Sequence, residues 1–196
     1  MITKQKRVFR TMNFPELEYW YHFELKEAFT ENERKPFQDI VKLIEQRKYE
    51  VWGMFEANNL LGYASLWKAK EIPLILLDYL GVSVKLRNNG IGADILKQLK
   101  DLGIPIVTES ELPVRGDLDS ENSIRARRIN FYKRNGFVPA YEMATCGMRW
   151  QALLMNADDF PIESIMKWHK DLYGVERKDV KIPIEKGELP GMPYWM

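Results

Sequence analysis

Residues 76–102 read LLDYLGVSVKLRNNGIGADILKQLKDL. The run from Leu76 to Val84 is apolar, broken mainly by Asp78 and Ser83, and predicts a buried strand. A polar turn follows, Lys85-Leu86-Arg87-Asn88-Asn89, and then Gly90-Ile91-Gly92. Beyond it Ile91, Ile95, Leu96, Leu99 and Leu102 recur at helical spacing. The order is strand, glycine turn, helix. The first N–H groups of a helix lack partners, and the helix dipole places partial positive charge there. Gly90 and Gly92 let a ligand approach the backbone, and Arg87 adds a fork of donors suited to phosphate oxygens. The expected ligand is a phosphate or pyrophosphate. The plain alternative is a tight strand-to-helix turn with two packing glycines. A P-loop is excluded by the missing Gly-Lys-Ser/Thr ending. The dinucleotide fingerprint is excluded because position 95 is Ile95.

The remainder sets limits on function. A chain of 196 residues with 45% hydrophobic and 12% aromatic content suits one cored domain with an appendage, not disorder. A net charge of +1 argues against devotion to nucleic acid or an anionic membrane. Cys146 is the single cysteine, so neither an internal disulfide nor a cysteine-based zinc site is expected, and no metal is predicted. The polar start Met1–Arg7 carries no signal-peptide pattern, and no run approaches the ~20 apolar residues of a membrane span. A cytoplasmic location is expected.

In chain order, a first strand is expected around Val8-Phe9. Asn13-Phe14-Pro15-Glu16 predicts a helix start, and Thr30–Glu33 a second one with an apolar face at Phe37, Ile40, Val41 and Ile44. Core packing accounts for the aromatics of the first helix, with Trp20, Tyr21 or His22 as alternative walls of an acceptor pocket. Tyr49–Phe55 and Leu60–Trp67 predict a hairpin turned by Ala57-Asn58-Asn59. Gly103 and Pro105 end the helix after the glycine turn, and Ile106–Glu111 predicts the next strand. Residues 113–122 predict a loop and 124–134 a helix ended by Asn135-Gly136. Met143–Met155 predicts a strand or hairpin. A C-terminal helix capped at Asp158-Asp159-Phe160-Pro161 leads into a tail closing on Leu189–Met196, an aromatic end expected to dock on the body or on a partner chain.

Two motifs carry a family resemblance. Arg87-x-x-Gly90-x-Gly92, directly after Leu80-Gly81-Val82, resembles the acyl-CoA-binding turn of the GNAT-type N-acetyltransferase superfamily. Phe131-Tyr132-Lys133-Arg134-Asn135-Gly136-Phe137 resembles that family's second signature. The resemblance covers roughly residues 50–150. It implies an α/β fold with a mixed, mostly antiparallel central sheet flanked by helices. An acetyltransferase domain is expected over 1–155; because exposed aromatics are costly, 156–196 is expected as a C-terminal helix and tail packed on the same domain or on a partner chain, a homodimer being one such arrangement. The activity the resemblance implies is acetyl transfer from acetyl-CoA to a primary amine of a small-molecule or peptide acceptor. A non-catalytic acyl-CoA-binding or sensor module is the alternative.

The same resemblance implies the site. Leu80 and Val82 would offer backbone groups to the pantetheine arm, with the Val82 N–H as oxyanion donor. Arg87, Asn88, Asn89, Gly90, Ile91 and Gly92 would hold the pyrophosphate. Tyr132 is the implied general acid, since a phenol with pKa near ~10 is protonated at neutral pH. Glu109 is the implied base, with Glu111 expected on the same strand face and Asp78 a further candidate. Cys146 lies outside both motifs, so direct attack is expected. Two positions depart from the family pattern. Arg125 stands where many members carry Asn, and Arg128 where they carry Ala. The plain reading of Arg125, Arg127 and Arg128 is a solvated face balanced by Asp117, Asp119 and Glu121, with Arg125 and Arg128 the candidates for attracting CoA phosphates or an acidic substrate. His22 and His169 are read as structural.

Overall fold

The computed structural model describes residues 6–193. Of the end expected to dock, Leu189–Met196, the last three residues, Tyr194-Trp195-Met196, lie outside the described residues. Hydrogen bonding orders the strands β1-β2-β3-β4-β5-β7-β6. The pairs β1·β2, β2·β3, β5·β7 and β6·β7 are antiparallel. β4 (Ile72–Val82) and β5 (Ile106–Glu111) are neighbours joined through a helix, the connection parallel strands require. The sheet is therefore mixed. The chain forms two compact units. One holds the described residues up to Trp67 together with Leu77–Leu102. The other holds Lys68–Leu76 and the described residues from Gly103 onward.

In the first unit, β1 (Arg7–Thr11), β2 (Tyr49–Glu56) and β3 (Asn59–Ala69) pair in register from Arg7↔Glu56. Asn13 caps α1 (Phe14–Tyr19). Its side chain accepts the Glu16 N–H at 3.0 Å, and the Glu16 carboxylate accepts the Asn13 N–H at 2.9 Å. The helix then widens into a π-helical stretch, Trp20–Leu25, before one α turn, α2 (Lys26–Ala28). Trp20 and Leu25 are fully buried, and the Trp20 ring stands edge-on to Tyr63 at 5.7 Å. The helix expected from Thr30 is instead a 3-10 turn, Glu31–Glu33, and α3 (Phe37–Glu45) begins only after Pro36. Proline disfavours helical backbone in the residue before it, so no helix runs through Lys35. In the β2–β3 turn the left-handed residue is Ala57, at φ 52°, not an asparagine.

The second unit centres on β5, β7 (Met148–Met155) and β6 (Val138–Thr145). Cys146 and Gly147 turn β6 into β7 with φ of 52° and 72°, the paired positive values of a tight hairpin. α5 (Asp119–Arg134) starts five residues before the expected Ile124, its first turn carrying Asp119 and Glu121. None of its residues is fully buried, and Ile124, expected to be an apolar contact, is exposed. α6 (Ile162–Tyr173) follows and stops at Gly174, φ 77°. The tail then lies along β6, the last strand in the order. Ala144 and Lys181 exchange two backbone hydrogen bonds of 3.0 Å, and the Ile184 N–H reaches the Glu142 carbonyl at 3.0 Å. An open sheet edge invites pairing with other chains, and the tail blunts this one. A buried ion pair pins it: Arg177 Nε and Nη2 each lie 2.8 Å from a separate oxygen of Asp179, which also accepts the Thr145 hydroxyl at 2.9 Å.

Candidate active site

The glycine turn sits in the first unit. Toward its end β4 narrows at Gly81, where an added Cβ would stand 2.2 Å from the Tyr63 ring. Only glycine lets the tyrosine cross the strand there. Leu80 and Val82 flank it, half-buried. Ser83 is tied down by Glu24 at 2.9 Å and the Leu60 carbonyl at 3.1 Å. A 3-10 turn, Val84–Leu86, leads to Arg87, which is exposed and makes no ion pair among the described residues. Asn88 (φ 67°) and Gly90 (φ 78°) take left-handed backbone, and α4 (Ile91–Lys100) begins with no side chain capping it. Asn89 spends its amide on the Leu86 carbonyl at 3.3 Å. Ile91 and Gly92 are buried in the first turn of α4. Arg87, Asn88, Asn89, Gly90, Ile91 and Gly92 thus form one continuous turn. It carries an uncapped helix start and a free guanidinium, which together fit a pyrophosphate.

Asp78, on the same strand, is committed elsewhere. Its two oxygens lie 2.7 and 2.9 Å from Lys35 Nζ, and the Tyr49 hydroxyl makes a short contact with it. This is the paired charge that an acidic residue in an apolar strand requires. Burial and the neighbouring Asp78 push the Tyr49 phenol well up. Of the three residues considered for an acceptor pocket, Trp20 is core, Tyr21 donates its hydroxyl to the Lys35 carbonyl at 2.9 Å, and His22 is exposed.

In the second unit, consecutive residues of β5 send their side chains to different helices, as pleating dictates. Thr108 is hydrogen-bonded to the hydroxyl of Tyr132 on α5. Burial raises that phenol's pKa, against the pull of Thr108 and the nearby Arg128 charge, so it stays protonated at neutral pH. Phe131 and Phe137 pack edge-on against its ring, at 5.6 and 5.4 Å. Glu109 turns instead to α6. Both of its oxygens accept from the Tyr173 hydroxyl, at 2.8 and 2.9 Å, and its Oε1 lies 2.9 Å from His169 Nε2. That last approach is close but not aligned as a hydrogen bond. The far nitrogen of His169 meets the Tyr141 hydroxyl at 2.9 Å. The sequence reading named Glu109 and Tyr132 but missed Tyr141 and Tyr173 and left His169 as plain structure. The available signal was the i, i+4 spacing of His169 and Tyr173 on one helix face.

Glu111 does not share the surroundings of Glu109. Its carboxylate takes Arg125 Nε at 2.8 Å and Arg128 Nη1 at 3.1 Å. Arg125 also binds Asp117 at 2.6 Å and Asn122 at 3.0 Å. Arg125 is therefore neutralised within the unit, as the balanced-face reading expects. Arg128 is half satisfied by the same Glu111. Among the described residues no cluster of metal-ligating side chains is found, and no helix is long and apolar enough to cross a membrane.

Residues 47–139 match the acetyltransferase (GNAT) domain. Among known proteins, "Putative acetyltransferase YjbC" of Bacillus subtilis is 29% identical over 137 residues, 70% of this chain, and the match spans 64% of that relative's length. The solved structure of a "Putative acetyltransferase from GNAT family" from Bacteroides thetaiotaomicron is 22% identical. It superposes with a TM-score of 0.65, covering 86% of this chain and 99% of that one. A mutant of the spermidine N-acetyltransferase SpeG from Vibrio cholerae is 13% identical, with a TM-score of 0.58 and coverage of 77% and 94%. At these identities the two structures establish the fold. The matched segment 47–139 contains the glycine turn, Glu109 and Tyr132. The residues that hold Glu109 from α6 lie outside it.

Proposed function

We propose that the chain is an N-acetyltransferase that moves an acetyl group from acetyl-CoA to a primary amine by direct attack. The observation that supports this reading most is on β5, within the matched segment. At Thr108 the strand meets the protonated phenol of Tyr132 from α5, and at the next position the Glu109 carboxylate turns to α6. Transfer needs one group that gives a proton and one that takes a proton, kept from neutralising each other.

The thioester supplies an activated acetyl group. The turn from Arg87 to Gly92 would hold the pyrophosphate through backbone N–H groups and the Arg87 charge. Leu80 and Val82 would offer main-chain groups to the pantetheine arm, with the Val82 N–H facing the carbonyl oxygen as negative charge grows on it. As the C–N bond forms and the C–S bond breaks, Glu109 takes the proton leaving the amine and Tyr132 gives one to the departing sulfur. The acceptor class is a small-molecule or peptide primary amine, and the assigned compartment is the cytoplasm.

The test is calorimetric titration with acetyl-CoA, then thiol release with spermidine, n-butylamine and a peptide bearing a free α-amino group. Tyr132→Phe should lower turnover by about 10²-fold or more with little change in acetyl-CoA affinity. Binding without turnover on any amine would favour a non-catalytic acyl-CoA sensor. No binding would reject the transferase reading.

A further inference from the structure

We propose that Tyr173, on a helix beyond the matched residues 47–139, is a positioning residue that keeps the Glu109 carboxylate aimed as the proton acceptor. The inference rests on the role just given to Glu109. Its side chain is only 12% exposed, and a carboxylate so placed needs hydrogen-bond donors. The Tyr173 hydroxyl sits within hydrogen-bond distance of both oxygens. The guanidinium of Arg177 lies 5.0 Å above the Tyr173 ring, where a cation favours the phenol as a donor.

His169 forms the other wall. It is fully buried, braced by Tyr141 from β6, and its ring lies 5.7 Å from that of Tyr173. Because its Nε2 approaches Oε1 out of alignment, the imidazole limits where the carboxylate can swing without saturating it. The groups facing Glu109 are thus Tyr173 and His169 from α6, with Tyr141 from β6 and Arg177 from the tail behind them. The strand partner on β7 is the non-titrating Ala152. This arrangement gives α6 and the tail a part in the chemistry. Arg177 both grips Asp179 and covers Tyr173, so tail docking and base geometry share one side chain.

The test is the pH profile of kcat/KM, with the amine that releases thiol fastest from the panel above. The amine's own ionisation affects every variant alike, so differences between variants isolate the enzyme's groups. Tyr173→Phe removes one oxygen and leaves the ring beneath Arg177. The acidic limb should move up by about 1 pH unit, the size expected for one hydrogen bond to a charged group, with KM for acetyl-CoA unchanged. Glu109→Gln should abolish that limb. A limb unmoved by Tyr173→Phe but abolished by Glu109→Gln would overturn the inference and leave Glu109 as base. A limb and rate unaffected by Glu109→Gln would overturn both. If Tyr173→Phe does not fold, carbon-13 titration of the Glu109 carboxyl in the parent protein decides. Tyr173 ring signals should shift with the carboxyl midpoint, and ring signals indifferent to it would reject the coupling.

Discussion

Lys35→Met probes the charge buried beneath β4. Lys35 Nζ lies 2.7 and 2.9 Å from the two oxygens of Asp78, with 10% and 8% of the two side chains exposed. The ammonium also stands over the Trp67 and Tyr79 rings, at 4.9 and 5.3 Å. Tyr49, its phenol pushed up by burial and by Asp78, contributes a hydroxyl but no charge. Methionine keeps the stem and deletes the cation, leaving a buried carboxylate with neutral partners. Breaking one side of such a pair costs roughly 3–5 kcal/mol, and the Tyr49 hydroxyl places the loss at about 3. For a chain of this length that is a fall in Tm of about 6–12 °C. Urea denaturation should show a lower midpoint at constant slope. The double variant Lys35→Met/Asp78→Leu should recover most of the loss, because two well-packed apolar side chains avoid the desolvation that the pair must overcome. A single-variant loss below about 1 kcal/mol, or a double variant as unstable as the sum of the singles, would refute the reasoning.

Two further outcomes follow from particular residues. Gly90→Val should weaken acetyl-CoA binding while the fold persists. An added Cβ meets nothing within 4 Å, so the effect comes from the φ of 78°, which costs a branched residue roughly 1–2 kcal/mol; calorimetry beside a thermal melt checks this, and Gly90→Asn should bind nearly as the parent does. For Asp179, burial acts to raise the carboxyl pKa, but the Arg177 pair and the Thr145 and Cys146 hydrogen bonds outweigh it and hold it below the usual range. A depressed folded-state value means stabilisation that is full at neutral pH and lost as pH falls through it. The deficit of Asp179→Asn against the parent, followed by denaturation from pH 7 to pH 2, should therefore be largest at pH 7 and close below about pH 4.

Much of the candidate site was legible because it is local. The period of Ile91, Ile95, Leu96 and Leu99 and the glycines before it specify strand, turn and helix without reference to distant residues. Asn13 and Glu16 form the expected cap because three residues of helix bring them together. Element boundaries failed where a neighbour overruled propensity. Pro36 cancelled the helix from Thr30, and α5 reached back to Asp119 through residues read as loop. The widening to a π-helix at Trp20–Leu25 has no signature in the sequence.

What the sequence determined alone was the α/β class and the strand, glycine turn and helix around Arg87–Gly92, for which spacing and residue type suffice; the candidacy of Tyr132 and Glu109 followed from the motif resemblance. What only the tertiary structure decided was which charges are already spent. Asp78 is paired by Lys35 from 43 positions away, and Arg125 by Glu111 and Asp117. Glu109 is held by Tyr173 from 64 positions away. A side chain's chemistry depends on who stands within 3 Å of it, and chain spacing does not encode contacts that long-range packing creates.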